Sequence, residues 1–373
     1  MSRLKRQPGG KRIFVAQLVD AEINNPQVLN TRALLNRVTE PGVEWIAPYY
    51  NAPDPELVGK RNIRLIKLCR RRFWQWHKCL LYQAQVDAIF YPGAYWFDDW
   101  GLRLRRLCGR RVPVIATLEG LVGNDTRARE YSSWAGHPVH CQAVEPTLLA
   151  RIDRVLSEAD HIIAISPFLA RLGARRYGDK FSVMPLGIDN EVFHALGRIE
   201  PQRFRVVGAG RLYDNKHPQL FLDMAERWPQ AEFVWFGDGE MRDWLLVEKS
   251  RRLLENVDFP GPIAHNALGD EFRKSSLFVL PSLAEGVPKV TQEAAACGLP
   301  VVCFGFYEAP SVVDGENGYV VWDDDELFAR VGELMADAHL ARRMGDCGAE
   351  MAKGWNWGQV ASRWENEVTN FVR

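Results

Sequence analysis

The chain has 373 residues, of which 47% are hydrophobic and 25% are charged, as in an ordinary globular protein. This composition excludes a disordered chain, a fibre and a coiled coil. The 47 basic and 47 acidic side chains give a formal net charge of zero, so bulk charge offers no argument for nucleic-acid binding. At roughly 100–200 residues per domain, the length predicts two or three domains.

The charge is unevenly distributed along the chain. Residues 1–111 contain 20 basic and 9 acidic side chains, a net charge of +11, and the remaining residues therefore carry 27 basic and 38 acidic side chains, a net charge of −11. The seven cysteines are odd in number and include no CxxC pair. This pattern argues against a disulfide framework or a zinc module and favours a reducing compartment.

The N-terminus is basic, and the apolar run behind it, residues 13–19, is interrupted by Gln17 and ends at Asp20. It lacks a small-residue cleavage pattern, so it predicts a strand rather than a signal peptide. The chain contains no run of ~18 apolar residues that could span a membrane. We therefore expect a cytoplasmic protein, with attachment to the inner face of the cytoplasmic membrane as an open alternative.

Short apolar runs alternate with helical patterns along the whole chain. This alternation predicts an α/β protein with parallel sheets covered by helices on both faces. The predicted strands, in chain order, are 13–19, 88–91, 112–116, 161–165, 181–184, 205–207, 232–235, 277–280 and 301–304.

Residues 60–82 form a basic segment, in which positions 60–78 hold eight Lys or Arg residues and no acid. Placed on a helix, the segment separates an apolar stripe from a basic one. The apolar stripe is Ile66, Cys69, Phe73, Trp76 and Leu80, and the basic stripe is Lys60, Arg64, Lys67, Arg71 and Lys78. Two interpretations are open: a helix packed on the sheet with a solvated basic face, or a contact with anionic lipid headgroups or a lipid-diphosphate acceptor.

A turn-rich segment, residues 184–202, separates two series of strands and helices. We therefore predict an N-terminal domain over 1–190, a C-terminal domain over 191–354 and a final helix over 355–373. Ligands of parallel sheets bind at the carboxyl ends of the strands, so the expected site is the cleft between the two domains.

Residues 281–300 give the strongest indication of a functional site. They combine a predicted strand end, a loop, a helix and two acids, Glu285 and Glu293. Pro288 suits the first helical position and Gly298 suits the helix end. Gly286 would let a ligand approach the backbone, and the free amides at the helix start could hold an anion or sugar hydroxyls. The alternative is a short helix with two solvated carboxylates.

Residues 208–216 form a second motif, in which Gly208 and Gly210 leave room for a ligand and two cations follow. Arg211 and Lys216 could clamp a diphosphate, or they could be ordinary surface charges. Tyr213 stands where a dinucleotide fingerprint needs its third glycine, which counts against an NAD-dependent oxidoreductase. We interpret the segments 237–239 and 257–261 as two further turns.

Together and in this order, these motifs resemble the family 4 glycosyltransferases over roughly residues 155–365. Supporting segments are 159–166, 185–189 and Asn317-Gly318. The resemblance implies a GT-B fold, with two Rossmann-like domains facing a central cleft and a C-terminal helix that crosses back to the first domain. It also implies that a sugar is transferred from a nucleotide diphosphate with retention at the anomeric carbon.

The resemblance assigns roles to individual residues. Arg211 and Lys216 match the family's diphosphate ligands, Glu293 matches the residue that holds the ribose, and Glu285 matches a contact to the donor sugar. The implied nucleotide-sugar site consists of Gly210, Arg211, Lys216, Gly237, Phe259, Gly261, Ile263, Glu285, Gly286, Val287, Pro288, Lys289 and Glu293. The base would lie against the loop from Phe259 to Ile263. The fold needs no metal or other cofactor, so the acids at 98–99 and 323–325 are interpreted as loop and helix-start residues.

The first domain departs from the family pattern. The glycine pair that usually follows the first strand is absent, and Gln17 and Asp20 occupy that region. Glu119 occupies the expected position of a histidine near the reacting centre, and it is either a catalytic contact or a plain loop carboxylate. Further candidates on the acceptor side are Asp20, Asn124, His137 and His140.

The leading hypothesis is a retaining glycosyltransferase that builds a glycolipid or a surface polysaccharide. A uridine donor is the default and a guanosine donor is the alternative. The expected partners are a nucleotide sugar, a glycan or lipid-linked acceptor and an anionic membrane surface at residues 60–82, but no nucleic acid. Two other hypotheses are a nucleotide-sugar epimerase on the same fold and a degenerate, non-catalytic binding module.

Overall fold

The computed structural model describes residues 10–23, 26–68, 85–93, 102, 112–120 and 146–372. Contacts within the chain divide it into two compact units. Of the described residues, those up to 187 and those from 357 onward form unit one, and residues 188–356 form unit two. Each unit contains one sheet in which every pair of neighbouring strands is parallel, so the predicted pair of parallel-sheet α/β domains is confirmed.

Unit one is built around a seven-stranded sheet with the order β3-β2-β1-β4-β5-β6-β7. Its strands are β1 (Lys11–Val15), β2 (Val43–Tyr49), β3 (Ile63–Lys67), β4 (Ala88–Tyr91), β5 (Val114–Leu118), β6 (His161–Ala164) and β7 (Phe181–Val183). Its described helices are α1 (Pro26–Leu35), α2 (Pro146–Glu158), α3 (Pro167–Tyr177) and the C-terminal α10 (Trp357–Asn370). Every residue of β4 and β5 is buried, which explains why these strands are continuous apolar runs.

The prediction of one helix over 60–82 is wrong at its start, because residues 63–67 form the edge strand β3. The strand pairs with β2 from Ile63 opposite Trp45 to Lys67 opposite Tyr49. Two β-branched isoleucines suit a strand, and this pairing outweighs a helical periodicity that five residues cannot establish. Residues 69–84 lie outside the described residues.

Unit two is built around a six-stranded sheet with the order β10-β9-β8-β11-β12-β13. Its strands are β8 (Arg205–Ala209), β9 (Glu232–Phe236), β10 (Val257–Gly261), β11 (Leu277–Leu280), β12 (Val301–Phe304) and β13 (Gly318–Val321). Its helices are α4 (Leu220–Arg227), α5 (Arg242–Arg251), α6 (His265–Arg273), α7 (Lys289–Ala296), α8 (Asp324–Ala336) and α9 (Ala338–Ala352). The segment 257–261, interpreted as a turn, is therefore a strand, in which Val257 and Phe259 are buried.

The strand order of unit two fixes where a ligand site can form. The chain runs outward from β8 through β9 to β10, and then returns to the other side of β8 to form β11. Loops after β8 and β11 therefore leave the sheet in opposite directions at its carboxyl edge, and the gap between such loops is where parallel sheets bind ligands.

The C-terminal helix α10 belongs to unit one, as the resemblance implied. Trp364 donates from its indole nitrogen to the carbonyl of Pro185 at 2.8 Å. The buried carboxylate of Glu365 accepts the amides of Thr39 at 2.8 Å and Glu40 at 3.0 Å. These contacts tie the last helix to the segments that follow β7 and α1.

Cys297, Cys303 and Cys347 are free thiols in the described part of the chain. Burial raises the pKa of both Cys297 and Cys303 to about 12. Because the thiolate is the reactive form, these two side chains act as small apolar residues of the core.

His161, at the start of β6, connects the sheet of unit one to its C-terminal helix. Its Nε2 lies 2.8 Å from Ser182 Oγ and 3.0 Å from Glu367 Oε1, and its ring stacks on Phe371 at 4.2 Å between centroids. Burial lowers the pKa of His161 and outweighs the opposite effect of the Glu367 carboxylate.

This lowered pKa predicts that unit one loses stability on acidification. The unfolded histidine takes up a proton at higher pH than the folded one, so the free energy of unfolding falls as the pH drops through about 6.5. Replacing His161→Gln should make the loss between pH 7.5 and 5.5 shallower in urea unfolding experiments. His339→Gln, on an exposed site of α9, is the matched control and should keep the wild-type slope. A steeper slope for His161→Gln would contradict the lowered pKa.

Candidate active site

The candidate site lies at the carboxyl edge of the sheet of unit two. Gly210 follows β8, Gly237 follows β9, Gly261 ends β10 and the loop to Glu285 follows β11. Because these strands are parallel, all four segments lie along one edge.

The glycines of this edge bring three loops into direct main-chain contact. A Cβ on Gly237 would lie 1.9 Å from the carbonyl oxygen of Gly210, and both residues have φ of +145°. The amide of Gly210 donates to Phe236 and the amide of Gly237 donates to Gly261, both at 2.9 Å. A Cβ on Gly210 would meet nothing nearer than 3.9 Å, so its outer face is open to a ligand.

Lys216 and Glu285 meet across the gap between the loops after β8 and β11. Lys216 ends a 3₁₀ turn (Asp214–Lys216) and its ammonium forms an ion pair with the Glu285 carboxylate. The amide of Leu283 donates to the carbonyl of Asn215 at 2.8 Å, which fixes the two loops to each other. The structure thus brings together two predicted site residues that are 69 positions apart in the sequence.

Arg211 is exposed, and its guanidinium carbon lies 5.8 Å from the ring centroid of Tyr213. The side chain therefore sits on an aromatic face beside the open side of Gly210. Its planar fork remains accessible to an anion.

Glu293 occupies a different environment from Glu285. It lies on α7, is only 6% exposed, and its Oε1 lies 3.3 Å from Nε2 of His265. His265 begins α6, is exposed, and contacts Phe193 edge to face at 4.7 Å. No motif in the sequence marks His265, because its contact with Glu293 arises only from the packing of α6 against α7.

The loop between Glu285 and Glu293 presents main-chain groups at the start of α7. Gly286, Val287 and Lys289 are half-buried, and Pro288 is the residue before the helix rather than its first residue. Gly298 follows the helix end with φ of +80°, a left-handed conformation that glycine adopts without strain, as the sequence predicted.

Burial restricts how the loop from Phe259 to Ile263 could contact a base. The Phe259 side chain is 1% exposed and belongs to the core, so at this residue only the main chain is available. Gly261, with φ of +99°, and the half-buried Ile263 do lie at the edge.

Arg242 donates from Nη2 to the Phe259 carbonyl at 3.3 Å and has no partner for its buried Nε among the described residues. Arg242 is therefore a candidate that the sequence analysis missed.

The acids at 323–325 belong to a helix start, as interpreted from the sequence. Asp323 accepts the amide of Glu326 at 2.8 Å, and Asp324 and Asp325 lie in the first turn of α8. Across the described ranges, no three His, Cys, Asp or Glu side chains are placed to share a metal ion.

Two candidates from the first domain, Glu119 and Asp20, lie at the carboxyl edge of the sheet of unit one. Glu119 follows β5 and is half-buried. Asp20 is 1% exposed, and its carboxylate accepts the amides of Tyr50 and Asn51, so its oxygens are engaged in fixing the loop after β2. The other candidates, Asn124, His137 and His140, and the acids at 98–99 lie outside the described residues.

Gln17 occupies the region where the family's glycine pair would stand. Its side chain is fully buried, and neither its oxygen nor its nitrogen has a hydrogen-bond partner in the described ranges. The oxygen lies 3.5 Å from the position of a Cβ on Gly93, just after β4. A buried amide without partners is costly, so Gln17 is a second residue that the site analysis adds.

The contact between Gly210 and Gly237 predicts a strong effect of one methyl group. Gly237→Ala should destabilise unit two by about 3 kcal/mol or more, because the methyl group overlaps a carbonyl oxygen. Gly315→Ala is the control: Gly315 also has positive φ, but nothing lies within 4 Å of its Cβ position. That control should cost about 1–2 kcal/mol. Equal melting temperatures of the two variants in calorimetry would contradict the close approach.

Both parts of the chain match models of glycosyltransferase families. Residues 203–337 match the family model "Glycosyl transferases group 1", and residues 38–192 match "Glycosyltransferase Family 4". The chain is 27% identical to D-inositol 3-phosphate glycosyltransferase of Paenarthrobacter aurescens, over 95% of this chain and 91% of that protein. It is also 27% identical to the GDP-mannose-dependent alpha-(1-6)-phosphatidylinositol monomannoside mannosyltransferase of Mycolicibacterium smegmatis, over 68% and 76% of the two chains.

The same fold occurs in a solved structure, that of Anabaena HepE in complex with UDP and glucose. The TM-score is 0.71 with 16% identity, and the alignment covers 96% of this chain and 99% of HepE. The GT-B fold class implied by the sequence resemblance is thereby confirmed. With one family model matched in each unit, the chain belongs to the family 4 glycosyltransferases.

Proposed function

We propose that this glycosyltransferase transfers a hexose from a nucleotide diphosphate sugar, with retention at the anomeric carbon, to a hydroxyl of a glycan or lipid-linked glycan. The proposal rests on the groups that meet at the carboxyl edge of the sheet of unit two. There an open main-chain surface at Gly210 lies beside Arg211, and Lys216 meets Glu285.

The diphosphate would bind against Gly210, held by Arg211 and Lys216. Each charge-assisted hydrogen bond is worth about 1.5–3 kcal/mol. Because the Lys216 ammonium already faces the Glu285 carboxylate, its position is fixed before the substrate arrives. When the bond from the sugar to the diphosphate breaks, negative charge develops on the leaving oxygen, and two preplaced cations stabilise it.

The two glutamates would hold the hydroxyls on either side of the diphosphate. Glu293 is buried and oriented by His265, so it suits the two ribose hydroxyls, which can both donate to one carboxylate. Glu285 would accept from a hydroxyl of the donor sugar, together with the main-chain groups of 286–289. Glu119 would face the sugar or the acceptor.

The reaction we propose is a front-face substitution. The acceptor hydroxyl attacks the anomeric carbon from the side on which the diphosphate leaves, and a phosphate oxygen takes the hydroxyl proton. No pair of carboxylates flanking the bond is needed, unlike in glycosidases. Neither a metal nor another cofactor is required, since Arg211 and Lys216 supply the positive charge.

We take UDP as the preferred nucleotide and GDP as the alternative. HepE was solved with UDP and glucose, whereas the Mycolicibacterium relative is named as GDP-mannose-dependent and acts on a phosphatidylinositol monomannoside. The second name supports a glycolipid acceptor, and a surface polysaccharide is the other class.

The test is a calorimetric titration of the full chain with UDP, GDP and ADP, each without metal. One nucleotide should bind, and Arg211→Ala should weaken its affinity by about 10–100-fold. Arg343→Ala removes the same charge from an exposed position on α9 and should bind like wild type. No binding of any nucleotide, or equal binding by the Arg211→Ala variant, would contradict the donor site.

Transfer assays with sugars of the nucleotide that binds complete this test. NMR of the product should show the anomeric configuration of the donor retained, and Arg211→Ala should remove most turnover. Conversion of the donor into an isomer without an acceptor would instead identify an epimerase. Nucleotide binding without either reaction would identify a non-catalytic module.

We further propose that the protein works at the inner face of the cytoplasmic membrane, through the basic segment 60–82. In the described part of the chain, no helix has the length and apolar character needed to cross a membrane. The support is the net charge of +11 over residues 1–111 and the edge position of β3, which carries Arg64 and Lys67.

Vesicle co-sedimentation tests this attachment. Recovery with vesicles that contain phosphatidylglycerol should exceed recovery with pure phosphatidylcholine, and the difference should shrink at ~0.5 M salt because surface charges are screened. Equal recovery with both lipids would refute the attachment.

A further inference from the structure

The edge strand β10, which leads into the loop at the expected base contact, pairs irregularly with β9. Asp258 lies opposite Val234 and Gly261 lies opposite Phe236, so three steps along β10 match two steps along β9. The extra residue on β10 forms a bulge, which interrupts the ladder of hydrogen bonds. Pro260 lies inside the bulge and has no amide proton to donate. The ladder alone therefore does not fix the main chain at the end of β10.

Arg242, the first residue of α5, supplies a hydrogen bond at this bulge. Its Nη2 donates to the carbonyl of Phe259 at 3.3 Å. Three atoms of the guanidinium, Nη2, Cζ and Nε, lie 3.6, 3.8 and 3.8 Å from the position of a Cβ on Gly261. Because these distances are nearly equal, the flat face of the guanidinium packs against Gly261. The Arg242 side chain therefore holds the bulge through both a hydrogen bond and a packing contact.

The main chain around Arg242 is fixed to the other loops of the candidate site. The amide of Arg242 donates to the carbonyl of Gly239 at 3.1 Å, and the amide of Met241 donates to the carbonyl of Leu212 at 3.0 Å. A Cβ on Gly239 would lie 2.5 Å from the same Leu212 oxygen, so these two loops are in main-chain contact. Arg242 thus connects the bulge on β10 to the loop that carries Arg211.

The pairing of Arg242 differs from that of the other cations on and just after α5. Lys249, Arg251 and Arg252 each form an ion pair with a carboxylate. Arg242 is half-buried, forms no ion pair within the described ranges, and its buried Nε has no partner there. A buried donor without a partner is unfavourable. The position of this side chain is therefore not explained by the stability of α5 alone.

We propose that Arg242 is a positioning residue for recognition of the nucleobase, an inference that rests on the proposed donor site. The bulge is followed directly by the main chain of 261–263, which would contact the base. Arg242 holds this main chain in one conformation before the nucleotide arrives. Less conformational entropy is then lost on binding, and only a base whose donors and acceptors match that conformation gains the full set of contacts.

Calorimetric titration with UDP, GDP and ADP tests this role, because the three nucleotides share ribose and diphosphate and differ only in the base. In Arg242→Gln, the affinity for the nucleotide that the wild type prefers should fall by about 10-fold. The affinities for the other two, measured by competition where they are weak, should fall less, so selectivity among the bases shrinks. Arg242→Lys keeps the charge and one donor for the Phe259 carbonyl and should regain part of the selectivity.

Two further variants separate positioning of the base from general damage to the site. Arg251→Gln removes the same charge from an exposed position on α5 and should keep the wild-type affinities. Arg211→Ala, at the diphosphate, should weaken all three nucleotides by the same factor. Unchanged selectivity in Arg242→Gln, whether affinities are kept or fall together, would overturn the positioning role, as would equal binding of the three nucleotides by the wild type. Absence of any nucleotide binding by the wild type would contradict the donor site itself.

Discussion

The candidate site depends on the close approach of two main-chain segments, at Gly210 and Gly237. With a carbonyl oxygen 1.9 Å from the position of a Cβ on Gly237, the loops after β8 and β9 can meet only because that residue has no side chain. Where these loops meet, the amide of Gly210 donates to the carbonyl of Phe236 and the amide of Gly237 donates to the carbonyl of Gly261. It also leaves an open surface of main chain beside Arg211. A diphosphate needs such a surface, because side chains would keep its oxygens away from the peptide groups.

The ion pair between the loops after β8 and β11 is the second constraint on the candidate site. Lys216 and Glu285 come from loops that leave opposite sides of the sheet centre, and the backbone bond from Leu283 to Asn215 holds those loops together. A lysine that already faces a carboxylate is a positioned cation rather than a flexible one, so it loses less rotamer freedom when an anion binds. Glu293, in contrast, is oriented by its contact with His265, the first residue of α6.

Much of this arrangement could be predicted from the sequence, since buried parallel strands leave a local signal. The strands at 88–91, 277–280 and 301–304 were predicted with their observed bounds, because their apolar runs are bounded by turn residues. The strand β3 could not be recognised, because a segment of five residues fits the hydrophobic period of a helix and that of a strand equally well. Its pairing with β2, a tertiary contact, makes it a strand. The burial of the Phe259 side chain was not predicted, because a motif does not show which residues of a strand point inward. Arg242 and His265 were missed because their contacts are tertiary.

The uneven charge of the chain has a structural explanation in part of unit one. Glu44 on β2 lies opposite Arg12 on β1, and Arg64 on β3, which is paired with Ile46, reaches the same carboxylate diagonally. The Asp87 carboxylate, just before β4, accepts the Arg12 amide at 2.9 Å, so cations and anions alternate along this row. The excess of positive charge at the same edge lies on the exposed side chains of Lys11 and Arg61. Removing either arginine would leave a carboxylate of this row without its cation, which costs more than replacing a whole ion pair by apolar residues. The positive excess at this edge therefore comes from side chains at the surface and not from the paired charges between the strands.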